Sequence, residues 1–346
     1  MKAKPLVSVI IPIRELSYVL IFENLPALAK QTYRKFEVLV LPNNRTLYDE
    51  TLRATYPWIR IVPTKLITRP AEKRDIGVKE AKGEIIAFLD DDAYPSEQWL
   101  EKAVHFFHKF EKKKVDAVCG PGLLPKEGNT WEYIFDEIFK TWIGSGGYAY
   151  RFIKDRARYV DDYPSMNFII KKKTFEELGG FDSEYYPGED SKLCEDLVYT
   201  LKRRIYYHPD IAVYHHRRNE LKGYLKQHGN YGYHRGAFFA HGDKNSRRIT
   251  YLIPTFFFIY LLTLIPYTFI VLYVKINLLY VFIYLIPFIL YKLFCIFLFS
   301  KALIDTKNIK IALGAVLVLF LTHVTYGRMF IKGFFTGLRN KENIYN

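Results

Sequence analysis

The sequence has little cysteine, and its three cysteines, Cys119, Cys194 and Cys295, lie far apart. They form no close pair of the kind found in structural zinc sites, redox motifs or disulfide frameworks. We therefore expect free thiols in a reducing compartment. Internal repeats and low-complexity segments are also missing from the sequence, which excludes repeat architectures.

Acidic residues are in the minority, with 36 Asp and Glu against 50 Lys and Arg, and the formal net charge is +14. Such a charge favours polyanionic partners. Residues 202–248 contain eleven Lys or Arg and three Asp or Glu, a net of +8, directly before a long apolar region. Basic residues beside membrane spans mark the cytoplasmic side and attract anionic headgroups. No nucleic-acid-reading motif accompanies them, so we expect membrane lipids and no nucleic acid as partners.

Charge is almost missing from the last third of the chain. Residues 249–274 contain none and residues 276–300 contain only Lys292. Each run exceeds the ~20 residues that cross a bilayer, and together they predict a transmembrane hairpin rather than a buried soluble helix pair. A third run, 311–327, is shorter and is followed by basic residues that would break the positive-inside preference if the run crossed. It is either a span or an interfacial or re-entrant helix, and we favour two spans with a cytoplasmic C-terminus.

The first 220 residues alternate short apolar runs with helical segments, which predicts an α/β domain with a Rossmann-like, mostly parallel sheet flanked by helices. Residues 122–162 break this alternation of strands and helices, and we expect them to form loops over an active site. The predicted strands include residues 6–12, 36–42, 59–63, 85–89, 117–121 and 167–171, and the predicted helices include 18–30, 46–55, 72–82, 96–113 and 192–203.

Three carboxylates, Asp90, Asp91 and Asp92, follow directly on the apolar run 85–89. In open parallel α/β sheets the ligand crevice lies at the carboxyl ends of the strands. Carboxylates held there can bind a divalent cation that in turn binds a diphosphate. The alternative is an acidic loop that caps the next helix, with Asp92 or Ser96 as its N-cap.

Landmarks around these carboxylates resemble those of the family 2 glycosyltransferases, which have the GT-A type nucleotide-diphospho-sugar transferase fold. The resemblance covers about Val7 to Arg218. Its landmarks are Ser8-Val9-Ile10-Ile11-Pro12, Lys73-Arg74-Asp75-Ile76-Gly77 with Ala81-Lys82-Gly83-Glu84, Phe88 to Asp92, and Gly180-Phe181-Asp182 followed by Gly188-Glu189-Asp190. Each landmark is weak alone, but the four occur in the family's order. One departure concerns Pro42-Asn43-Asn44, where family members commonly carry an acidic pair.

The resemblance implies a nucleotide-diphospho-sugar as donor and Mg²⁺ or Mn²⁺ as cofactor, which neutralises the leaving diphosphate. Asp90 would lie toward the ribose and the metal, Asp92 would bind the metal, and Asp91 is less certain. Arg74 would contact base or phosphate, or is simply a solvated helix arginine. The remaining candidates are Pro12, Arg14 and Glu15 lining the nucleotide pocket, Asn43 at the nucleobase, and His215 toward the metal. Residues 215–218 could bring both imidazole and guanidinium groups to the site, or form a basic membrane-facing turn.

A hydroxyl acceptor needs a base, and Asp190 matches the family's base position. Its neighbour Glu189 could help to raise the pKa of that carboxylate. The alternative is an N-cap for a helix beginning near Lys192. Single displacement with Asp190 as the base gives inversion.

The interpretation is thus a membrane-anchored, metal-dependent, inverting glycosyltransferase acting on a glycan or lipid-linked acceptor in surface-polysaccharide or glycolipid assembly. We expect a catalytic domain at 1–220, a basic juxtamembrane segment at 221–248 and a membrane domain at 249–346, in a multi-pass protein of the cell membrane with the catalytic domain in the cytoplasm. The rivals are a polyprenyl-phosphate sugar synthase, whose anionic acceptor needs no base, and a non-catalytic membrane scaffold with a nucleotide-binding domain.

Overall fold

The computed structural model describes residues 4–45, 49–181, 188–242, 246–274 and 276–339. The predicted start of a helix at Thr46, the Asp182 landmark, Lys275 between the spans and the C-terminal tail lie outside these residues. The chain divides into two compact units. The first comprises Met1–Pro125 and Tyr150–His216, and the second comprises Lys126–Ala149 and Arg217–Ile344.

The first unit is built around a large sheet. Its strands, in chain order, are β1 (Val7–Pro12), β2 (Phe36–Leu41), β3 (Ile59–Ile61), β4 (Ile85–Leu89), β5 (Ala93–Pro95), β6 (Val115–Cys119), β7 (Gly122–Leu123), β8 (Arg158–Val160), β9 (Asn167–Lys171), β10 (Arg204–Tyr207) and β11 (Val213–His215). Eight of these described strands form the sheet in the order β3-β2-β1-β4-β9-β6-β10-β8. Every residue of β1, β2, β4 and β6 is buried, as their apolar runs predict.

Strand direction confirms a mostly parallel sheet. β3, β2, β1 and β4 run parallel to one another, as do β6 and β10. β9 is antiparallel to both β4 and β6, and β8 is antiparallel to β10. The local sequence pattern predicts strands but not their direction, so these two reversals were not foreseen.

A small second sheet in the first unit has the order β5-β11-β7. β11 is antiparallel to β5 and parallel to β7. Because β5 begins just after the three carboxylates, this sheet brings the end of β11 to the acidic strand end.

The helices are α1 (Leu25–Ala29), α2 (Asp49–Thr55), α3 (Pro70–Glu80), α4 (Trp99–Lys109), α5 (Thr130–Phe139), α6 (Lys172–Glu177), α7 (Glu189–Glu195), α8 (Leu221–His241), α9 (Ile249–Tyr273), α10 (Leu278–Thr306) and α11 (Ile309–Arg339). π-helical turns precede α1 at Leu20–Asn24 and follow α7 at Asp196–Thr200. A buried cluster that includes Trp99, Leu100 and Phe107 of α4 packs helices of the first unit on the sheet.

The prediction of loops throughout residues 122–162 was wrong, because α5 lies there. α5 has a capping box, in which the Asn129 side chain accepts from Glu132 N at 3.0 Å and the Glu132 carboxylate accepts from Asn129 N at 2.8 Å. This Asn-x-x-Glu spacing is a helix-start signal that the sequence already carried. α5 belongs to the second unit, where Phe135 and Ile138 pack with Leu298 and other buried residues.

Three helices among the described residues are long and apolar enough to cross a membrane: α9, α10 and the segment Ile309–Leu338 of α11. The protein therefore associates with membranes. The third apolar run does not end near Tyr326, because α11 continues over 31 residues. The shortness of the apolar run 311–327 is thus no argument against α11 as a membrane span.

Candidate active site

The carboxylates after β4 lie in a turn that buried side chains hold in place. The turn is closed by Ala93 N, which donates to Asp90 O at 3.2 Å. Fully buried Asn24 donates from Nδ2 to Ala93 O at 2.5 Å. Nothing in its local sequence marked Asn24 as important, since it lies within an apolar helical stretch.

His215 completes a cluster with two of these carboxylates. β11 pairs His215 with Ala93, and His216 N donates to Asp92 O at 3.1 Å. The His215 Nε2 atom then lies 3.1 Å from Asp92 Oδ1. One donor atom each from Asp90, Asp92 and His215 lies within 4.8 Å of the other two.

This donor set fits a divalent cation. Two carboxylates are the hard oxygen ligands that Mg²⁺ and Mn²⁺ take, and an imidazole nitrogen favours the transition metal over Mg²⁺. Asp91 is not part of the set. Burial, followed by the neighbouring charges of Asp92 and Asp90, raises the pKa of Asp91 to about 7.

Arg74 of α3 links the acidic turn to the carboxylates of α7. Its side chain is buried, and Nη2 donates to Asp90 Oδ1 at 2.7 Å. Burial acts to lower the pKa of the guanidinium, but the charges of Asp90, Asp190 and Glu189 raise it overall. The interpretation of Arg74 as a solvated helix arginine is therefore wrong.

Asp190 lies in the first turn of α7, whose N-cap is Gly188, so the N-cap alternative for Asp190 is wrong. Burial is the largest cause that raises the pKa of Asp190 from 3.8 to about 7, and the charge of Glu189 adds to it. Arg74 and hydrogen bonds from Ser165 act in the opposite direction. The Asp190 Oδ1 atom is shielded from solvent and has no hydrogen-bond partner among the described residues.

Lys73, beside Arg74, fixes the orientation of Asn43 at the end of β2. The Lys73 ammonium is buried and donates to three oxygens: Ile13 O at 2.6 Å, Leu41 O at 3.1 Å and Asn43 Oδ1 at 2.6 Å. Burial lowers the pKa of Lys73, and Asp91 opposes this. Because an ammonium only donates, Asn43 must turn its oxygen to Lys73, which leaves its NH₂ group to face elsewhere.

Asp75 holds the chain that leads to α7. Its Oδ1 atom accepts from Phe181 N at 3.0 Å, and burial is the main cause that raises the pKa of Asp75 to about 6. The turn needs Gly180, because φ is +90° there and a Cβ atom would lie 2.8 Å from Asp75 Oδ1.

The roles of Lys73 and Asp75 were missed, although the sequence carried a signal. Consecutive helical residues are about 100° apart around the axis, so three charged residues in a row span about 200°, and the outer ones can border the face that packs against the sheet.

Residues after β1 lie at the same carboxyl edge of the sheet. Buried Pro12 ends β1, and Arg14 O accepts from Asn43 N at 3.1 Å. The side chains of Arg14 and Glu15 are exposed.

Among residues 215–218 the structure brings His215 to the carboxylates but gives its neighbours other contacts. His216 Nε2 lies 3.0 Å from Glu23 Oε2. Arg217 belongs to the second unit, where its Nη2 atom donates to the buried carboxylate of Asp136 at 2.8 Å. The Asp136 carboxylate thus engages the Arg217 guanidinium, and the suggested contact of a guanidinium from this stretch with a diphosphate stays a prediction.

A mostly parallel sheet with acidic residues at its carboxyl edge defines a nucleotide-binding α/β domain of the GT-A type. The sequence profile described as "Glycosyl transferase family 2" matches residues 8–179. Residues 8–179 thus form a glycosyl transferase family 2 domain.

Curated relatives share this domain. The chain is 26% identical over 164 residues to the pre-mycofactocin glycosyltransferase of Mycobacterium tuberculosis, which covers 47% of this chain and 33% of that protein. It therefore spans about a third of the length of that relative. It is also 24% identical over 264 residues to a Methanococcus voltae protein, covering 75% of this chain and 74% of the relative. The name of that relative is dolichyl N-acetyl-α-D-glucosaminyl phosphate 3-β-D-2,3-diacetamido-2,3-dideoxy-β-D-glucuronosyltransferase.

A solved structure extends the similarity in fold to nearly the whole chain. The mannosyltransferase PcManGT of Pyrobaculum calidifontis, determined in complex with GDP-Man and Mn²⁺, superposes with a TM-score of 0.55. The match has 17% identity and covers 99% of this chain and 89% of that chain. At this identity the match supports the fold.

Proposed function

We propose that the protein is a membrane-anchored, metal-dependent, inverting glycosyltransferase that moves a sugar from a nucleotide-diphospho-sugar to a hydroxyl acceptor. The observation that carries the proposal is the convergence of Asp90, Asp92 and His215 within 4.8 Å at the end of β4. Arg74 joins this cluster to Asp190 and Glu189 through their charges. A cation site and a carboxylate base thus belong to one electrostatic network.

Asp90, Asp92 and His215 would hold the cation, which supplies positive charge to the leaving diphosphate. The imidazole ligand favours Mn²⁺ over Mg²⁺. Arg74 remains cationic in its buried position, because the carboxylates around it raise its pKa. It orients the Asp90 carboxylate through the 2.7 Å contact.

Asp190 performs the proton transfer. Its Oδ1 atom takes the proton of the acceptor hydroxyl as the acceptor oxygen bonds to the anomeric carbon. The bond from that carbon to the diphosphate oxygen breaks, and the electron pair leaves with the nucleoside diphosphate. One displacement at one carbon inverts its configuration. A base with a pKa near 7 is matched to this task at neutral pH.

Asn43 contributes to recognition of the donor. With its oxygen held by Lys73 at 2.6 Å, it offers NH₂ donors at the carboxyl edge of the sheet. Such a group pairs with a carbonyl oxygen of the nucleobase, whereas an acidic residue there would accept from a base N–H. Uracil and guanine both present carbonyl oxygens.

The acceptor that we favour is a hydroxyl of a lipid-linked sugar on the cytoplasmic face of the cell membrane, in surface-polysaccharide or glycolipid assembly. The apolar helices of the second unit support this assignment, as does the Methanococcus voltae relative, whose name places a sugar on dolichyl N-acetyl-glucosaminyl phosphate. A polyprenyl-phosphate sugar synthase uses an acceptor that is already an anion. A buried carboxylate base with a raised pKa therefore favours the hydroxyl acceptor.

Isothermal titration of the purified full-length protein against UDP, GDP, CDP and ADP tests this proposal. We expect binding of a nucleoside diphosphate that requires Mn²⁺ and that is weaker with Mg²⁺. His215→Ala should lower Mn²⁺-supported affinity more than Mg²⁺-supported affinity, because it removes the nitrogen ligand. Binding of no nucleotide under any metal condition contradicts the proposal, and binding without any metal contradicts its metal dependence.

A further inference from the structure

Helices α8 and α11 form a parallel pair with their backbones in contact. A Cβ atom at Gly232 of α8 would lie 2.5 Å from Tyr326 O of α11, and one at Gly337 of α11 would lie 2.9 Å from Ala237 O of α8. Gly236 of α8 and Gly333 of α11 lie even closer to the opposite backbone. The two helices therefore occupy the same depth wherever they lie, since small residues keep them together along most of α8.

The outer face of α8 is hydrophilic. Its exposed residues are Lys222, Lys226, Asn230 and Tyr231, and the first three follow one another at the four-residue spacing of a single helix face. A bilayer span requires ~20 mostly apolar residues, whereas residues 221–241 also contain His228, His234 and Arg235. α8 is thus unable to cross a bilayer.

The outer face of the second half of α11 mixes basic and apolar side chains. Arg328, Lys332, Phe335 and Leu338 are exposed along one stripe. In contrast, residues 276–291 at the start of α10 carry no charge, and Leu278, Phe282 and Leu290 there are between 59% and 82% exposed. The α9–α10 hairpin thus has the uncharged, apolar surface of membrane-spanning helices. The pair formed by α8 and the second half of α11 has the mixed basic and apolar surface of helices that lie in the membrane–water interface.

We propose that α11, although long and apolar enough to span, lies with α8 in the membrane–water interface and binds anionic lipid headgroups through Lys222, Lys226, Arg328 and Lys332. If the second half of α11 lay inside the bilayer, α8 would lie beside it and carry its lysines into the hydrocarbon. In the interface, basic side chains reach headgroups while aromatic and aliphatic neighbours enter the acyl boundary. The proposal rests on the membrane anchoring of the proposed function and is independent of its transferase activity.

Depth-dependent quenching tests the placement of α11. A fluorophore is attached at Arg328→Cys in the full chain, reconstituted into vesicles of phosphatidylcholine and phosphatidylglycerol, with Cys295 replaced by serine and with Cys119 and Cys194 buried. We expect nitroxides near the headgroup to quench it more than nitroxides at the acyl end. The matched control, Leu290→Cys on the exposed face of α10, should show the reverse order. A deep profile at Arg328→Cys like that of Leu290→Cys would overturn the proposal.

A second measurement tests the headgroup charge. A fluorophore at Phe335→Cys should be shielded from the neutral quencher acrylamide in vesicles with phosphatidylglycerol and accessible in vesicles of phosphatidylcholine alone. Arg328→Glu with Lys332→Glu should remove that shielding, whereas the same charge change at exposed Lys112 and Lys113 should leave it intact. Equal acrylamide access in the two lipid compositions would refute headgroup binding. Since neither readout uses sugar transfer, failure here is distinguishable from failure of the proposed function.

Discussion

Asp92 is the residue whose charge matters most at the candidate cation site. Asp92→Asn keeps the size of the side chain but removes a full negative charge beside His215, so we expect metal-dependent nucleotide binding to be lost. Titration calorimetry with Mn²⁺ measures this directly. Asp210→Asn, at a half-exposed acid that contacts Lys102, is the matched control and should bind normally. Undiminished Mn²⁺-dependent binding by Asp92→Asn would remove this residue from the site.

Replacement of Asp190 by asparagine should lower turnover but raise the stability of the fold at alkaline pH. Asp190→Asn should lower turnover by ~10²–10⁴-fold with near-normal nucleotide binding, because it removes the base. In the wild type, kcat/KM should rise as pH increases through about 7, where Asp190 ionises.

The effect of the same group on stability has the opposite sign. The pKa of Asp190 is about 7 in the folded protein, above its ordinary value of 3.8. Its contribution to stability is therefore complete below pH 3.8 and is lost as pH rises through about 7. Asparagine does not ionise, so Asp190→Asn should raise Tm relative to the wild type at alkaline pH. Parallel losses of turnover and nucleotide binding, or no change in either, would point to a structural role.

Asn43 should set the nucleobase preference. Asn43→Asp keeps an oxygen for Lys73 but replaces the NH₂ donors by an acceptor, and one lost hydrogen bond in a shielded site costs about 1–3 kcal/mol. We expect the affinity for the preferred nucleotide to fall roughly tenfold or more, with selectivity moving toward a base that has an amino group in place of that carbonyl oxygen. Competition titrations with four nucleoside diphosphates measure this, and exposed Asn44→Asp is the control. An unchanged order of preference would contradict the assignment.

Among the helices and strands, the buried apolar strands are the ones that the sequence predicts well. The strands β1, β2, β4 and β6 are buried along their full length. Apolar runs of this kind, bounded by proline, glycine or charged residues, can be recognised from the local sequence alone. The acidic end of β4 was equally visible.

Elements that depend on distant partners were less predictable. The pairing of the three-residue strands β5 and β11 joins segments far apart in the sequence, so no local pattern shows that His215 reaches Asp92. The inward orientation of Lys73 and Asp75 on α3 is likewise set by the strand ends around them.

Asn167 at the start of β9 connects the large sheet to the small one. Its fully buried amide donates to Gly120 O at 2.6 Å and Ile211 O at 2.7 Å, and accepts from Trp99 Nε1 at 2.9 Å. Asn167→Leu removes this partner from Ile211 O and Trp99 Nε1, each loss costing about 1–3 kcal/mol, while Gly120 O still accepts from the Tyr163 hydroxyl at 2.5 Å.

We expect Asn167→Leu to lower Tm markedly and to weaken Mn²⁺-dependent nucleotide binding, since Ile211 leads directly into the strand that carries His215. Asn129→Ala is the control, because it removes the cap of α5 in the second unit at a cost of about 1 kcal/mol. It should lower Tm slightly and leave the binding unchanged. Normal metal-dependent binding by a folded Asn167→Leu would show that the small sheet does not depend on this amide.

For the whole molecule, the distribution of charge predicts the side of the membrane on which each part lies. With the hairpin of α9 and α10 as the spans, Lys301, Lys307 and Lys310 return to the side of the basic stretch 202–248, in agreement with the positive-inside preference. We therefore expect both the catalytic unit and the C-terminus to be cytoplasmic.

Labelling of a single cysteine tests this topology. After replacement of Cys119, Cys194 and Cys295, the variant Asn346→Cys should react with an impermeant thiol reagent only once cells are permeabilised. Glu97→Cys, on the catalytic unit and exposed, should behave identically. Reaction of Asn346→Cys in intact cells would place the tail outside and require a third span.

The small sheet has a consequence for the order in which the protein matures on the ribosome. Asp90 and Asp92 emerge early, but His215 is made shortly before α9 begins at Ile249. A nascent chain can therefore complete the candidate cation site only after most of the first unit has been made, shortly before synthesis of the first apolar helix begins. The candidate cation site and the membrane segment are thus completed close together during synthesis, and a chain released before residue 215 would lack the third candidate ligand.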